Sequence, residues 1–192
     1  MSSQKRYLVL HGYKQSGDII AKKFKGFLGK DVTLVTPDGP LLLDNEQQLY
    51  GWFPLELIDL TNGKVEIRDT DITDIIDHIG KMENNYYDGV VAFSQGCLAA
   101  SLLVGTKTII TNKLLLFSPI PVPDEWPHSI KESVSAKIYI GLKDDLVYPR
   151  FSMKFIPTLG ENPVEVIEHR WGHVIPSTSE HRKNYVKFLT DS

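Results

Sequence analysis

Residues 88–100 read Asp-Gly-Val-Val-Ala-Phe-Ser-Gln-Gly-Cys-Leu-Ala-Ala, and this stretch restricts the fold more than any other in the chain. Asp88-Gly89 marks a turn. Residues 90–93 are an apolar, β-branched run, too short for a helix and suited to a buried strand. From Cys97 to Leu103 the residues are small or good helix formers. A strand must therefore give way to a helix within one or two residues, with Ser94 at the corner. Such a corner holds the serine at strained backbone angles with its Oγ clear of the sheet. Strand and helix pass close together there, so the residues two before and two after must be small, and they are Ala92 and Gly96. The common pattern has glycine at both, so Ala92 departs by one methyl. The first amides of the following helix face the serine, and the helix dipole favours negative charge there. The Gln95 N–H is thus a candidate donor to an oxyanion. Taken alone, the stretch fits equally well a helix N-cap serine after a buried strand.

The flanking sequence repeats the alternation. Tyr7-Leu8-Val9-Leu10 reads as a strand ending at His11-Gly12, and Ser16-Gly17-Asp18 opens a helix to about Leu28 with Ile20, Phe24, Phe27 and Leu28 at helical spacing. Residues 32–35 form a second strand, and residues 41–69 read as irregular. Asp69-Thr70-Asp71 starts a helix to about Met82, with Ile72, Ile75, Ile76 and Ile79 on one face. Further strands are expected at 113–117, 137–140 and 164–168, with helices at 149–159 and 180–189. Short apolar strands alternating with helices indicate an α/β fold: a mostly parallel sheet of about six strands with helices on both faces. Residues 118–135 are short and proline-rich, which leaves no room for a large cap domain.

At 192 residues the chain is expected to form a single domain, 1–192. Charge narrows the function classes. The net charge is −3 with acidic and basic residues interspersed, and no basic run along the sequence points to nucleic acid. The single cysteine, Cys97, excludes an internal disulfide and fits a reducing compartment. No stretch approaches the roughly 18 apolar residues of a membrane span or the core of a signal peptide. A cytoplasmic protein is expected. No pattern announces a dimer, so monomer and homodimer both stay open.

In a parallel sheet of this kind the ligand site lies beyond the carboxyl ends of the strands. His11-Gly12-Tyr13, Ser94, Asp144-Asp145 and His173 all follow strands and so are delivered to one edge. A serine needs an imidazole to take its proton, and the imidazole needs a carboxylate to fix its tautomer. The order Ser94, Asp144, His173 is that of α/β-hydrolases. Ser94 would be the nucleophile, His173 the base and Asp144 the orienting carboxylate. The N–H groups of Gln95 and Tyr13 would form the oxyanion hole. Trp52, Phe53, Trp126 and Trp171 come from loops and would form an apolar acyl pocket if those loops sit above Ser94.

His11 is expected to be structural. His169 and His173 have a spacing seen in metal sites, with Glu168 adjoining, but they follow a strand, so no metal is expected. No phosphate loop or Gly-x-Gly-x-x-Gly is present, and no cofactor is expected. Cys97 falls about one turn into the helix and should pack as a small hydrophobe.

Six stretches together resemble the FSH-type serine hydrolases of the α/β-hydrolase superfamily. They are Leu10-His11-Gly12-Tyr13-Lys14-Gln15-Ser16-Gly17, Pro37-Asp38-Gly39-Pro40, Trp52-Phe53, Tyr87 through Gly96, Gly141-Leu142-Lys143-Asp144, and Gly172-His173-Val174-Ile175-Pro176. The resemblance implies hydrolysis of small-molecule carboxylic esters or thioesters, with Ser94, Asp144 and His173 as triad. It favours Asp144 over Asp145, because the family places the aspartate three residues after the glycine. Ala92, Trp171 before Gly172-His173, and an extra residue at Tyr148 depart from the family pattern. The acyl-protein thioesterases share a similar Phe-Ser-Gln-Gly elbow and give a second enzyme reading. A non-catalytic binding protein on the same scaffold gives a third.

Overall fold

Both faces of the central sheet are covered, so its strands can be apolar without interruption. This is the physical reason they read as continuous runs rather than alternating ones. The computed structural model describes residues 4–25, 28, 32–54, 56, 58–60, 62–123, 130 and 133–191. In chain order the elements are β1 (Lys5–Leu10), α1 (Gly17–Phe24), β2 (Val32–Val35), β3 (Leu41–Asp44), β4 (Leu49–Gly51), β5 (Ile58–Asp59), β6 (Lys64–Val65) and α2 (Asp69–Gly80). Then come β7 (Gly89–Phe93), α3 (Gln95–Gly105), β8 (Lys113–Phe117), β9 (Ser135–Gly141), α4 (Pro149–Ser152), a 3-10 turn (Met153–Leu159), β10 (Val164–His169) and α5 (Ser179–Thr190).

Six strands pair in the order β10-β9-β8-β7-β1-β2, all parallel. The expected α/β-hydrolase sheet is therefore present and wholly parallel. Leu8, Leu10, Val90 and Ala92 point to one face, where they pack with Ile75 and Ile79 of α2 and with Leu98 and Leu102 of α3. Tyr7, Val9, Val91 and Phe93 point to the other, against Ile20 and Phe24 of α1 and Tyr185 and Leu189 of α5. The chain moves outward from β1 to β2, then returns to place β7 on the other side of β1. The connections change direction between β1 and β7, and a crevice opens there at the carboxyl ends.

Three boundaries differ from the sequence expectation. Residues 41–69 are not simply irregular: β3 pairs with β4 and β5 with β6, both antiparallel. Strands of two to four residues carry too few alternations to register as a period. Helix α1 ends at Phe24, four residues early, and Phe27 lies outside the described residues. The expected helix over 149–159 is one α-turn continued as 3-10, with Pro157 inside it removing a backbone donor. No helix among the described residues is long and apolar enough to cross a membrane.

One contact fixes where the Ser94 corner sits. A Cβ at Gly96 would lie 2.5 Å from the Leu10 carbonyl oxygen and 2.6 Å from that of His11. Both are backbone atoms and cannot swing aside. Gly96→Ala is therefore expected to destabilise the fold by about 1–3 kcal/mol, read as a lower urea midpoint, because α3 must move off β1. An unchanged midpoint would show that the helix is free to shift.

Candidate active site

Ser94 stands between β7 and α3 with φ 54° and ψ −118°, in the left-handed half of backbone space. A side chain other than glycine is held there only by its surroundings. They are tight: the Ser94 N–H donates to the Phe117 carbonyl at 2.9 Å, and β7 is fully buried. Its Oγ lies 2.9 Å from Nε2 of His173.

His173 is carried by the loop after β10, Asp144 by the loop after β9. The pairing of β9 with the edge strand β10 brings these loops side by side, and the Lys143 N–H donates to the Trp171 carbonyl at 3.1 Å. Asp144 Oδ2 lies 2.7 Å from His173 Nδ1, while its Oδ1 accepts the N–H groups of Leu146 (3.1 Å) and Val147 (2.8 Å). Burial alone would push this carboxyl up. The hydrogen bond and charge of His173, with the Val147 amide, outweigh burial and hold it below the usual carboxylate range. An ionised Asp144 can only accept, so His173 carries its proton on Nδ1 and presents a lone pair on Nε2 to the Ser94 hydroxyl. The ring of Phe93 packs on the imidazole with centroids 4.9 Å apart and limits its rotation. Ser94, Asp144 and His173, spread over 80 positions of sequence, thus form one hydrogen-bonded line.

The candidate anion donors come from either side of the crevice. The Gln95 N–H is in the first turn of α3, where amides lack intrahelical partners. Tyr13 lies in the turn after β1, which passes beside the serine: a Cβ on Gly12 would sit 3.4 Å from Ser94 Cβ. Gly12 N–H donates to Gln15 Oε1 at 3.0 Å and braces that turn.

The Gln95 side chain has a role that sequence reasoning did not assign. It is buried, its Oε1 accepts the Trp52 N–H at 2.7 Å, and its Nε2 donates to the Phe53 carbonyl at 2.8 Å. The Trp52 indole donates to the His11 carbonyl at 2.9 Å. His11, as expected, is structural: its Nε2 accepts the Gly39 N–H at 2.9 Å and its Nδ1 lies 2.7 Å from the Gly12 carbonyl. A polar residue opening an otherwise apolar helix was the available signal for Gln95.

The expected acyl pocket is corrected at two positions. Trp52 and Phe53 are 1% and 0% exposed and belong to the main core, because the Gln95 amide pulls their backbone inward. Trp171 lines an open cleft of about 530 Å³ with residues 168–170 and 178–181. Trp126 lies outside the described residues. Cys97 is buried with its thiol against the Phe117 carbonyl, and burial pushes that thiol up, as expected of a packing residue.

Two buried histidines set an acid limit on stability. Burial lowers the pKa of His11 from 6.5, and burial with nearby His181 lowers that of His169. Both resist protonation more in the folded protein than in the unfolded chain, where a histidine takes a proton below about pH 6.5. Their contribution is complete above that pH and is lost as pH falls. The urea midpoint is expected to be lower at about pH 5.5 than at about pH 7.5, and a flat profile would contradict the two assignments.

The profile of the family described as serine hydrolase (FSH1) matches residues 1–185. An esterase of Drosophila pseudoobscura pseudoobscura is 25% identical over 207 aligned positions, covering 97% of this chain and 71% of that protein. Among solved structures, a carboxylesterase from Mesorhizobium loti superimposes with a TM-score of 0.72 at 18% identity, over 100% of this chain and 90% of the other. The Bacillus cereus carboxylesterase superimposes with a TM-score of 0.72 at 16% identity, over 98% and 89%. At these identities the structural likeness carries the fold alone. A match over nearly the whole length, on a wholly parallel sheet with a strained serine at its switch point, places the chain in the FSH-type serine hydrolase family.

Proposed function

We propose that the protein hydrolyses carboxylic esters and thioesters through an acyl-enzyme on Ser94. The observation that carries this reading is the unbroken line from Asp144 through His173 to Ser94, with Nε2 at 2.9 Å from Oγ. In this reading Ser94 Oγ attacks the carbonyl carbon while its proton passes to His173 Nε2. Asp144 stabilises the imidazolium across the Nδ1 hydrogen bond. The carbonyl oxygen becomes an oxyanion between the N–H groups of Gln95 and Tyr13, where each donor is worth roughly 3 kcal/mol. His173 then protonates the leaving alkoxide or thiolate as the C–O or C–S bond breaks. Water attacks the acyl-enzyme with the same base, and the products are a carboxylic acid and an alcohol or thiol.

The esterase relatives support the reaction class, and the elbow and oriented imidazole support Ser94 as its nucleophile. Treatment with a fluorophosphonate is expected to modify the protein once, with the adduct on the tryptic peptide containing Ser94. Labelling at another residue, or none at neutral pH, would overturn the assignment.

A further inference from the structure

The charge pattern changes once the chain is folded. Along the sequence the cations look dispersed, but α1 and α5 share one face of the sheet and bring five of them to one groove. Its more enclosed part, about 260 Å³, is lined by Lys22, Lys23 and Arg182, with the buried Pro176 and Tyr185 at its base. It continues past Ser177 and Arg182 into an open part of about 590 Å³ lined by Lys183, Lys187 and Val186, with Asp191 at the far end. In a chain of net charge −3, this groove sets five cations against one carboxylate. A concentration of one sign of charge along a groove attracts anions.

The groove begins close to the reaction. Helices α1 and α5 both run back from the carboxyl edge of the sheet, and Ile175-Pro176-Ser177 leads from His173 straight into it. Ser177 is four residues from His173, a chain reach of at most about 14 Å. Ser177 lines both parts of the groove, so an extended arm with its carbonyl at Ser94 has to pass Ser177 to bring its far end to the cations.

We propose that this groove binds the phosphate groups of the substrate's leaving arm, so that the preferred substrates are thioesters or esters of phosphate-bearing thiols or alcohols. The proposal rests on Ser94 being the nucleophile. Ser94 Oγ adds to the acyl carbon, the C–S or C–O bond breaks, and the phosphorylated arm departs with the proton delivered by His173; water then cleaves the acyl ester on Ser94 and releases the acid.

The test uses butanoyl thioesters of pantetheine, 4′-phosphopantetheine and coenzyme A, which share one arm and carry progressively more phosphate. kcat/KM is expected to rise about tenfold or more along the series at low salt and to lose that rise in the Lys22→Glu/Lys183→Glu protein. Both positions are exposed, so the variant should keep the native thermal midpoint. Inorganic pyrophosphate should compete with the coenzyme A ester and leave the pantetheine ester unaffected. Equal kcat/KM across the series would overturn the proposal and leave the groove a solvated helix surface. Calorimetry with coenzyme A on Ser94→Ala separates the two readings. Binding that the charge reversals weaken, when the native protein cleaves no ester, would keep the groove and discard the hydrolase reading. No binding at millimolar coenzyme A, when the native protein does cleave esters, would discard the groove alone.

Discussion

Ser94→Ala is expected to lower kcat by about 10⁶-fold while leaving the fold in place. The size follows from how the three residues act. His173 and Asp144 have no function in acyl transfer without a hydroxyl to deprotonate, so removing Ser94 silences the whole unit rather than a third of it. The fold should survive because the serine's structural load is carried elsewhere. Its N–H donates to the Phe117 carbonyl whatever the side chain is, and its carbonyl accepts the Cys97 N–H at 3.0 Å. The strained φ of 54° persists with alanine, so no relief of strain should mask the result. The measurement is single-turnover hydrolysis of p-nitrophenyl acetate, beside a thermal melt of both proteins. A variant that retains more than about a hundredth of native turnover would place the nucleophile elsewhere.

Asp144→Asn should cost about 10⁴-fold in kcat, and the reason is a tautomer rather than a charge. The amide oxygen can take over the two bonds that Oδ1 now makes to the Leu146 and Val147 N–H groups. That choice turns the NH₂ toward His173 Nδ1, where Oδ2 now lies at 2.7 Å. An NH₂ group needs a lone pair to donate to, so Nδ1 gives up its proton and Nε2 carries it instead. A protonated Nε2 cannot accept the Ser94 proton. Native circular dichroism with kcat reduced to this degree supports the orienting role. A rate within tenfold of native would mean that Phe93 packing and the loop alone hold the imidazole in its working state.

The hydrogen bond and charge of His173 outweigh burial and hold Asp144 below the ordinary carboxylate range. The stability that Asp144 contributes is therefore present above its unfolded pKa and is lost only as pH falls through the lower folded one.

Much of this site was legible in the residues because the relevant constraints are local. A strand-to-helix corner needs small neighbours within two positions, and Ala92-Phe93-Ser94-Gln95-Gly96 displays that need directly. Buried parallel strands need apolar side chains on both faces, so β1, β7 and β8 read clearly. Short antiparallel pairs such as β5–β6 did not, since two residues have no period. The aromatic loops misled for a related reason. Trp52 and Phe53 look like a pocket rim until the buried Gln95 amide, 43 positions away from Trp52, is seen to hold their backbone against the core.

By itself the sequence determined the alternating architecture, the strained serine and the order in which serine, aspartate and histidine reach the carboxyl edge. These follow from spacing and side-chain size, which any segment carries within itself. Only the tertiary structure decided that Asp144 Oδ2 faces Nδ1 while Ser94 Oγ faces Nε2, that Gln95 braces the neighbouring loop, and that Lys22 and Lys23 of α1 line one cavity with Arg182 of α5. Those are relations between segments far apart in the chain. Their distances are set by strand order and helix packing, which no single stretch encodes.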